Sequence, residues 1–429
     1  MRFTAVGDAL IQCRIPDCFP GISELAPYIS QGDVRFFNLE TTLCREGECF
    51  ASQFSGGTYL RANPETLGDL KKFGFNMTTF NNNHAMDFSY GGLISTLDCL
   101  QNSGLVHTGV ALDLDTASAP VYLTTKNGVA ALISVNFSFE PSMMAGKKSR
   151  VYPGRPGVNG IRIERTVQLT QSGVDYIKTL EAEINLNAEE KLDRKSGYLP
   201  ELPDNEAELG ELRFVAGDNN RKIERICPED MKRVENSIIE AGKKADYIII
   251  SMHTHQVDSM HSEYPTALSV EFARRCIDMG ANAVIGHGPH LLRPIEIYKD
   301  SPIFYSLGDF ILQLYSVESA PEDFYARYGL TSENSMYDLL KKRSKNFTIG
   351  LMEDKRMLQS VIPIWETENK KLKRLTLLPI SLTGGENKKD LGLPRVAKDA
   401  SFVDHLAKIS KPYGVTIRPD GTGCYVCEW

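Results

Sequence analysis

Short apolar runs alternate with amphipathic stretches along most of this chain, and the apolar runs end abruptly in polar residues. Alternation at a period of two marks strands, whereas apolar positions three and four apart mark helices. On that pattern strands are predicted at Arg2–Val6, Val34–Phe37, Phe75–Phe80, Gly128–Asn136, Asp246–Met252 and Ala281–Ile285. Helices are predicted between them. Pro64–Phe73 has proline at its start and Gly74 just past its end. Tyr90–Asn102 follows from the spacing of Leu93, Leu97 and Leu100, and Pro228–Lys244 and Pro265–Met279 repeat the pattern. After Ile285 the order changes to strand after strand, at Pro302–Tyr305, Phe347–Leu351, Leu358–Trp365 and Leu372–Leu378. Polar turn clusters separate these, as in antiparallel hairpins. A helix at Ser401–Ser410 and a terminal strand close the chain. The whole predicts an α/β fold with a mixed sheet whose later strands add a second β-layer.

Residues 140–230 depart from this order. They hold few long apolar runs and many charges, as in Glu189-Glu190-Lys191-Leu192-Asp193-Arg194-Lys195. They read as a charged surface insertion with one amphipathic helix near Thr166–Leu186, its charge runs being solvated faces. The expected organisation is a core over residues 1–320 that carries this insertion, with residues 321–429 completing the same domain.

Composition narrows the functional classes. At 429 residues, 42% hydrophobic and 24% charged, the chain has ample material for a globular core. A formal net charge of −7 argues against a nucleic-acid surface. The opening Met1–Asp8 does not read as a secretory signal, and no stretch approaches the ~20 apolar residues of a membrane helix. A cytoplasmic chain is expected. The nine cysteines are mostly isolated and read as reduced thiols, and Cys424-x-x-Cys427 lacks the second pair of a zinc site.

Candidate chemistry lies where strands end. Six of the eight histidines fall in three short stretches that follow apolar runs: His84; His253, His255 and His261; His287 and His290. Carboxyl ends of strands are where open α/β sheets bind ligands. The same exits offer Asp8, Asn38, Glu40 and Asn83. Carboxylate, imidazole and one amide oxygen suit Zn, Mn or Fe. One or two such ions sharing a carboxylate, with Glu40 as the bridge, would activate water at a phosphoryl or carbonyl centre. His84 would then face the substrate as proton donor to the leaving group. Asn38 and His255 are candidate substrate-binding groups. Arg155 and Arg293 are two more, since a guanidinium pairs with carboxylate or phosphate in bidentate fashion.

These motifs, in this order, resemble the CapA family of poly-γ-glutamate capsule synthesis proteins, which is related to the calcineurin-like metallophosphoesterases. The matching residues are Gly7-Asp8, Asn38-Leu39-Glu40, Asn83-His84-Ala85 with Asp87 and Gly91, Arg155-Pro156-Gly157, the strand ending in His253, Gly286-His287-Gly288-Pro289-His290 leading to Pro294-Ile295-Glu296, and Tyr305-Ser306-Leu307-Gly308-Asp309-Phe310. The resemblance implies a metallophosphoesterase-like four-layer αββα sandwich with mixed β-sheets. It implies metal-ligand positions at Asp8, Glu40, Asn83, His253, His287 and His290, and the catalytic histidine at His84. It also marks departures. Leu10 stands where the phosphoesterases place a histidine, Glu40 where they have aspartate, and Asp309 where the family more often has asparagine. His287 and His290 are three apart rather than two.

Three activities follow from these residues. The first is metal-assisted hydrolysis of a phosphoester or a γ-glutamyl amide, on a small-molecule or peptide substrate. The second is metal-independent peptide epimerisation, in which Asp8 and a motif histidine such as His290 exchange a Cα proton. The third is a non-catalytic accessory role in capsule synthesis.

Overall fold

The computed structural model describes residues 1–382 and 390–429. The chain divides into two compact units, Met1–Gly160 with Lys232–Trp429, and Ile161–Met231.

The larger unit is built on two sheets. One has ten strands and is centred on Arg2–Leu10, which runs parallel to Val34–Leu39 and to Asp309–Leu312 and antiparallel to Gln359–Glu368. The other has six, with Gly128–Asn136, Tyr247–His253 and Ala283–His287 running parallel at its centre. Alternation along each strand decides which side chains meet. Phe3, Ala5, Phe36 and Met77 from the first sheet pack against Ala130, Leu132, Ile249 and Ile285 from the second. Their neighbours Val6 and Phe37 face the other way, onto Leu25 and Ile29 of the Pro20–Ile29 helix and Leu93, Leu97 and Leu100 of Ser89–Ser103. Helix Ala267–Asp278 buries Phe272, Ala273 and Cys276 beside the second sheet, where Phe272 meets the Phe137 ring edge-on at 5.0 Å. Helix, sheet, sheet and helix thus form the four-layer αββα sandwich that the resemblance implies. Burial of each large side chain between layers contributes about 1.5–3 kcal/mol.

The predicted strands and helices of the alternating half are present. Gly128–Asn136 has the expected bounds, while the Phe75–Phe80 strand contracts to Met77–Thr79. One prediction fails. Phe347–Leu351 is not a strand, because Lys345, Asn346, Phe347 and Gly350 all take positive φ (48°, 62°, 59° and 119°), which no extended strand accommodates. The predicted helix at Thr166–Leu186 is also shorter. Ile163–Leu169 is a strand, and the helix runs Gln171–Ile184.

The smaller unit is a four-stranded sheet of Glu206–Leu209, Leu212–Ala216, Ile163–Leu169 and Arg221–Ile226, in that spatial order. Its core is small, formed by Val174, Ala207 and Phe214. Among the described residues no helix is long and apolar enough to cross a membrane. All nine cysteines are free.

One buried ion cluster bears on stability. The Asp69 side chain, fully buried, accepts from Arg14 Nε (2.6 Å), the Ile15 amide (3.0 Å) and Lys72 Nζ (2.9 Å). Burial alone would raise its pKa, but these donors outweigh it and hold the carboxyl below its ordinary value. A carboxyl depressed in the folded state adds stability above its unfolded pKa of about 3.9 and loses it as pH falls through the folded value. Asp69→Asn is therefore expected to cost about 1–3 kcal/mol at pH 7, and less below pH 3. Urea unfolding of both proteins at the two pH values measures the difference.

Candidate active site

The parallel strands of both sheets end at one crevice. Asp8 is fully buried in the first strand at a break in its ladder, in register with Asn38 on one side and Asp309 on the other. Its Oδ1 accepts from Asn38 Nδ2 at 2.7 Å and its Oδ2 from the Gly288 amide at 2.7 Å. Gly288 is suited to that task because its φ is +115° and its Cα passes tight against Thr254, where an added Cβ would lie 3.1 Å from the backbone.

His253 and His287 are register partners on adjacent strands, with their Nδ1 atoms 2.8 Å apart. Asn83 fixes how the protons are arranged. Its Nδ2 donates to the Gly56 carbonyl at 2.9 Å, so its Oδ1 is the atom that faces His253 Nε2 (2.7 Å) and His255 Nε2 (3.2 Å). A carbonyl oxygen only accepts, which puts the His253 proton on Nε2. His253 Nδ1 then accepts from His287 Nδ1, and His287 Nε2 accepts from the Ser251 hydroxyl at 2.6 Å.

Glu40 follows the Val34–Leu39 strand and is fully buried. Its Oε2 is 3.4 Å from Asn38 Nδ2, but its Oε1 has no hydrogen-bond partner among the described residues. That oxygen lies 3.8 Å from His253 Nε2 and 4.0 Å from His255 Nε2. Burial, reinforced by Asp8 and Asp309, drives the Glu40 carboxyl well above its ordinary pKa. Burial also lowers the imidazoles. His253 and His255 fall well below their ordinary value, helped by neighbouring histidines, and His287 falls to about 4 despite Asp8.

A second carboxylate pairing lies beside these. His290 has φ +59° and holds its Nδ1 2.9 Å from Asp309 Oδ1. Burial opposes charge on His290, yet Asp309 and Asp8 raise its pKa overall. Asp309 is itself pushed up to about 6 by burial, with His290 opposing the shift, and its Oδ2 has no hydrogen-bond partner among the described residues.

His84 has a separate anchor. Its Nδ1 lies 2.7 Å from Asp87 Oδ2, while Asp87 also accepts from the Gly56 amide (2.9 Å) and the Leu60 amide (2.8 Å). Nε2 is thus the nitrogen left for chemistry. Gly56 packs so closely that an added Cβ would lie 2.6 Å from Asn83 Nδ2 and 2.7 Å from the His84 ring. His84, His255 and His290 line one cavity of about 520 Å³.

The donors fit a divalent cation. Asp8, His253 and His287 bring ligand atoms within 4.8 Å of one another, as do Glu40, His253 and His255, and Asp8, His290 and Asp309. Burial favours the neutral form of His253, His255 and His287, the form in which an imidazole ligates a metal ion. The orphaned Glu40 Oε1 and the Asn83 Oδ1 point the same way, both being oxygen donors of the kind that Zn, Mn and Fe accept.

Of the other predicted site residues, Asn38 lies between Asp8 and Glu40. Arg293 is fully buried and holds the loop after His255, donating to the Gln256 and Ser262 carbonyls at 3.0 Å each. Arg155 is exposed, donates to the Met144 carbonyl at 3.1 Å, and makes no hydrogen bond or ion pair with the cluster among the described residues. Sequence reasoning assigned no role to Asp87, Asp309, Ser251 or Gly56. Asp87 had a legible signal in its place three residues after His84.

Comparison with known proteins adds the family context. A family model described as bacterial capsule synthesis protein PGA_cap matches residues 2–314. An uncharacterized protein of Sinorhizobium fredii (strain NBRC 101917 / NGR234) is 30% identical, covering 96% of this chain and 90% of its own length. A probable polyglutamine synthesis accessory protein of Mycobacterium tuberculosis is 28% identical over 65% of this chain and 55% of its own. The PGA biosynthesis protein CapA of Bacillus subtilis is 24% identical over 59% of this chain and 47% of its own.

Proposed function

The chain belongs to the bacterial capsule synthesis (PGA_cap) family, and from that premise we propose that it is a metal-assisted hydrolase of a phosphoester or γ-glutamyl amide bond. The observation that carries this is Glu40 Oε1. A buried carboxylate oxygen without a hydrogen-bond partner is costly, and this one faces two imidazole nitrogens that also face the Asn83 carbonyl. A divalent cation would complete that arrangement, with the Glu40 and Asn83 oxygens and the imidazoles as its donors. Asp8, Glu40, Asn83, His253, His287 and His290 are the proposed ligands, with His255 added by its distance to Glu40. A divalent ion held there supplies Lewis-acid activation of water and of the bond under attack.

The remaining work falls to the chain's own groups. Asp87 fixes the His84 ring so that Nε2 delivers a proton to the leaving atom. Asn38 and the Gly288 amide hold the Asp8 carboxylate in place, as supporting partners do for metal ligands. His255, with its side chain 32% exposed, places that ligand at the cavity rim where substrate enters. The descriptions of the relatives, polyglutamine synthesis and PGA biosynthesis, favour a γ-glutamyl peptide as substrate.

A second reading has its own support. Two His–Asp pairs, His84 with Asp87 and His290 with Asp309, serve the same cavity. Acid and base groups on opposite sides of a Cα would exchange its proton without a metal. Incubation with a γ-glutamyl peptide and with bis(4-nitrophenyl) phosphate in deuterated buffer separates the two. Hydrolysis of either compound, with no deuterium in unreacted peptide, is expected. Deuterium at Cα of intact peptide without hydrolysis would overturn the hydrolase.

A further inference from the structure

The cavity that His84, His255 and His290 share has a wall built from residues beyond 314, past the stretch that the family model matches. That wall is apolar, with Leu340, Ile349, Leu351, Met352 and Met357 facing the space. The positive φ values at Lys345, Asn346 and Phe347 fold this segment into turns, which frees its apolar side chains from any sheet.

Among the described residues a single arginine lines the cavity beside them. Arg343 ends the Met336–Arg343 helix, donates through Nη1 to Thr58 Oγ1, and carries its guanidinium carbon 5.5 Å from the centre of the Phe324 ring. The acidic residue of the same lining, Asp354, is held by Arg356 at 2.7 Å. Among the described residues Arg343 forms no ion pair with any carboxylate, and burial lowers its pKa with only Tyr328 opposing. Arginine keeps its charge through such a shift. A half-buried guanidinium without a counter-ion among the described residues keeps donors open to an anion that a ligand supplies.

We propose that Arg343 recognises a carboxylate on a substrate whose apolar portion lies along the Leu340–Met357 wall, so that the site acts on an amphiphilic carboxylic acid. A planar fork of donors fits a carboxylate in bidentate fashion. A lone arginine, with no lysine beside it in the lining among the described residues, matches a single negative charge better than two. The proposal rests on the cavity being the active site, as argued above. It assigns specificity to a segment outside the metal-ligand set, so it can fail while the hydrolase stands.

The test is binding rather than turnover, which keeps the two apart. Calorimetric titration of metal-free protein with octanoate, octanamide and octyl phosphate is compared among wild type, Arg343→Gln and Arg343→Lys. Octanoate is expected to bind Arg343→Gln at least about 10-fold more weakly than wild type. Arg343→Lys should recover part of that loss, and octanamide should bind weakly and equally to wild type and Arg343→Gln. Octanoate binding wild type no better than octanamide would overturn the proposal without recourse to any variant. So would octanoate affinity unchanged in folded Arg343→Gln. Tighter binding of octyl phosphate than octanoate would overturn the carboxylate assignment.

Discussion

His84→Ala is expected to lower kcat by about 10²–10⁴-fold, the usual contribution of a positioned proton donor, and to leave bound metal per chain unchanged. The separation of the two effects follows from geometry. His84 belongs to none of the three groups whose ligand atoms converge within 4.8 Å. Its Nδ1 partner is Asp87, whose other contacts are the Gly56 and Leu60 amides rather than any side chain of those groups. Removal of the imidazole therefore takes away the proton donor and spares the cation's ligands. Steady-state kinetics alongside elemental analysis of the same preparations measure both quantities. A variant that turned over at the wild-type rate would remove His84 from the mechanism.

Glu40→Gln should have the opposite signature, a change in metal response larger than the change in fold. In metal-free wild type the buried Glu40 carboxyl has a raised pKa. A carboxyl raised in the folded state holds a proton that the unfolded chain has released, so stability falls as pH rises above the unfolded value of about 4.3. Glutamine carries no such penalty. Metal-free Glu40→Gln is thus expected to melt higher than metal-free wild type at pH 7, and the gap should close toward pH 4. Added Mn or Zn reverses the order. Wild type gains about 2.7 kcal/mol when free metal is 100 times its Kd, whereas the variant gains far less. Thermal melts at both pH values, with and without metal, test the crossing. A Glu40→Gln protein stabilised by metal as strongly as wild type would exclude Glu40 as a ligand.

Much of this site lay open in the sequence because its residues sit at the ends of buried parallel strands. Such strands read as uninterrupted apolar runs, so Tyr247–His253 and Ala283–His287 announce their own exits. Asp309 was harder to read. It opens a strand of four residues that follows a loop, and its importance comes from lying beside Asp8 in register across the sheet. That is a long-range pairing that local spacing does not carry. Phe347–Leu351 misled for a related reason. Ile349 and Leu351 serve a cavity wall and Phe347 packs against Tyr315 and Tyr337, so none serves a sheet, and composition alone does not distinguish these. Residues 161–231 hid their order differently: a sheet with only Val174, Ala207 and Phe214 as its buried core leaves most positions polar, so alternation is faint.

The assignment of the crevice to a cation depends on the three ligand groups around Asp8, Glu40 and His253, and metal content tests that most directly. The protein is purified without chelator or nickel affinity, and its metals are counted by plasma mass spectrometry before and after EDTA, with turnover measured on the same samples. One or two equivalents of Mn, Fe or Zn per chain, with activity lost to EDTA and restored on addition of metal, is the result expected. Protein that holds no metal, and whose activity and melting temperature do not respond when metal is supplied, would contradict it.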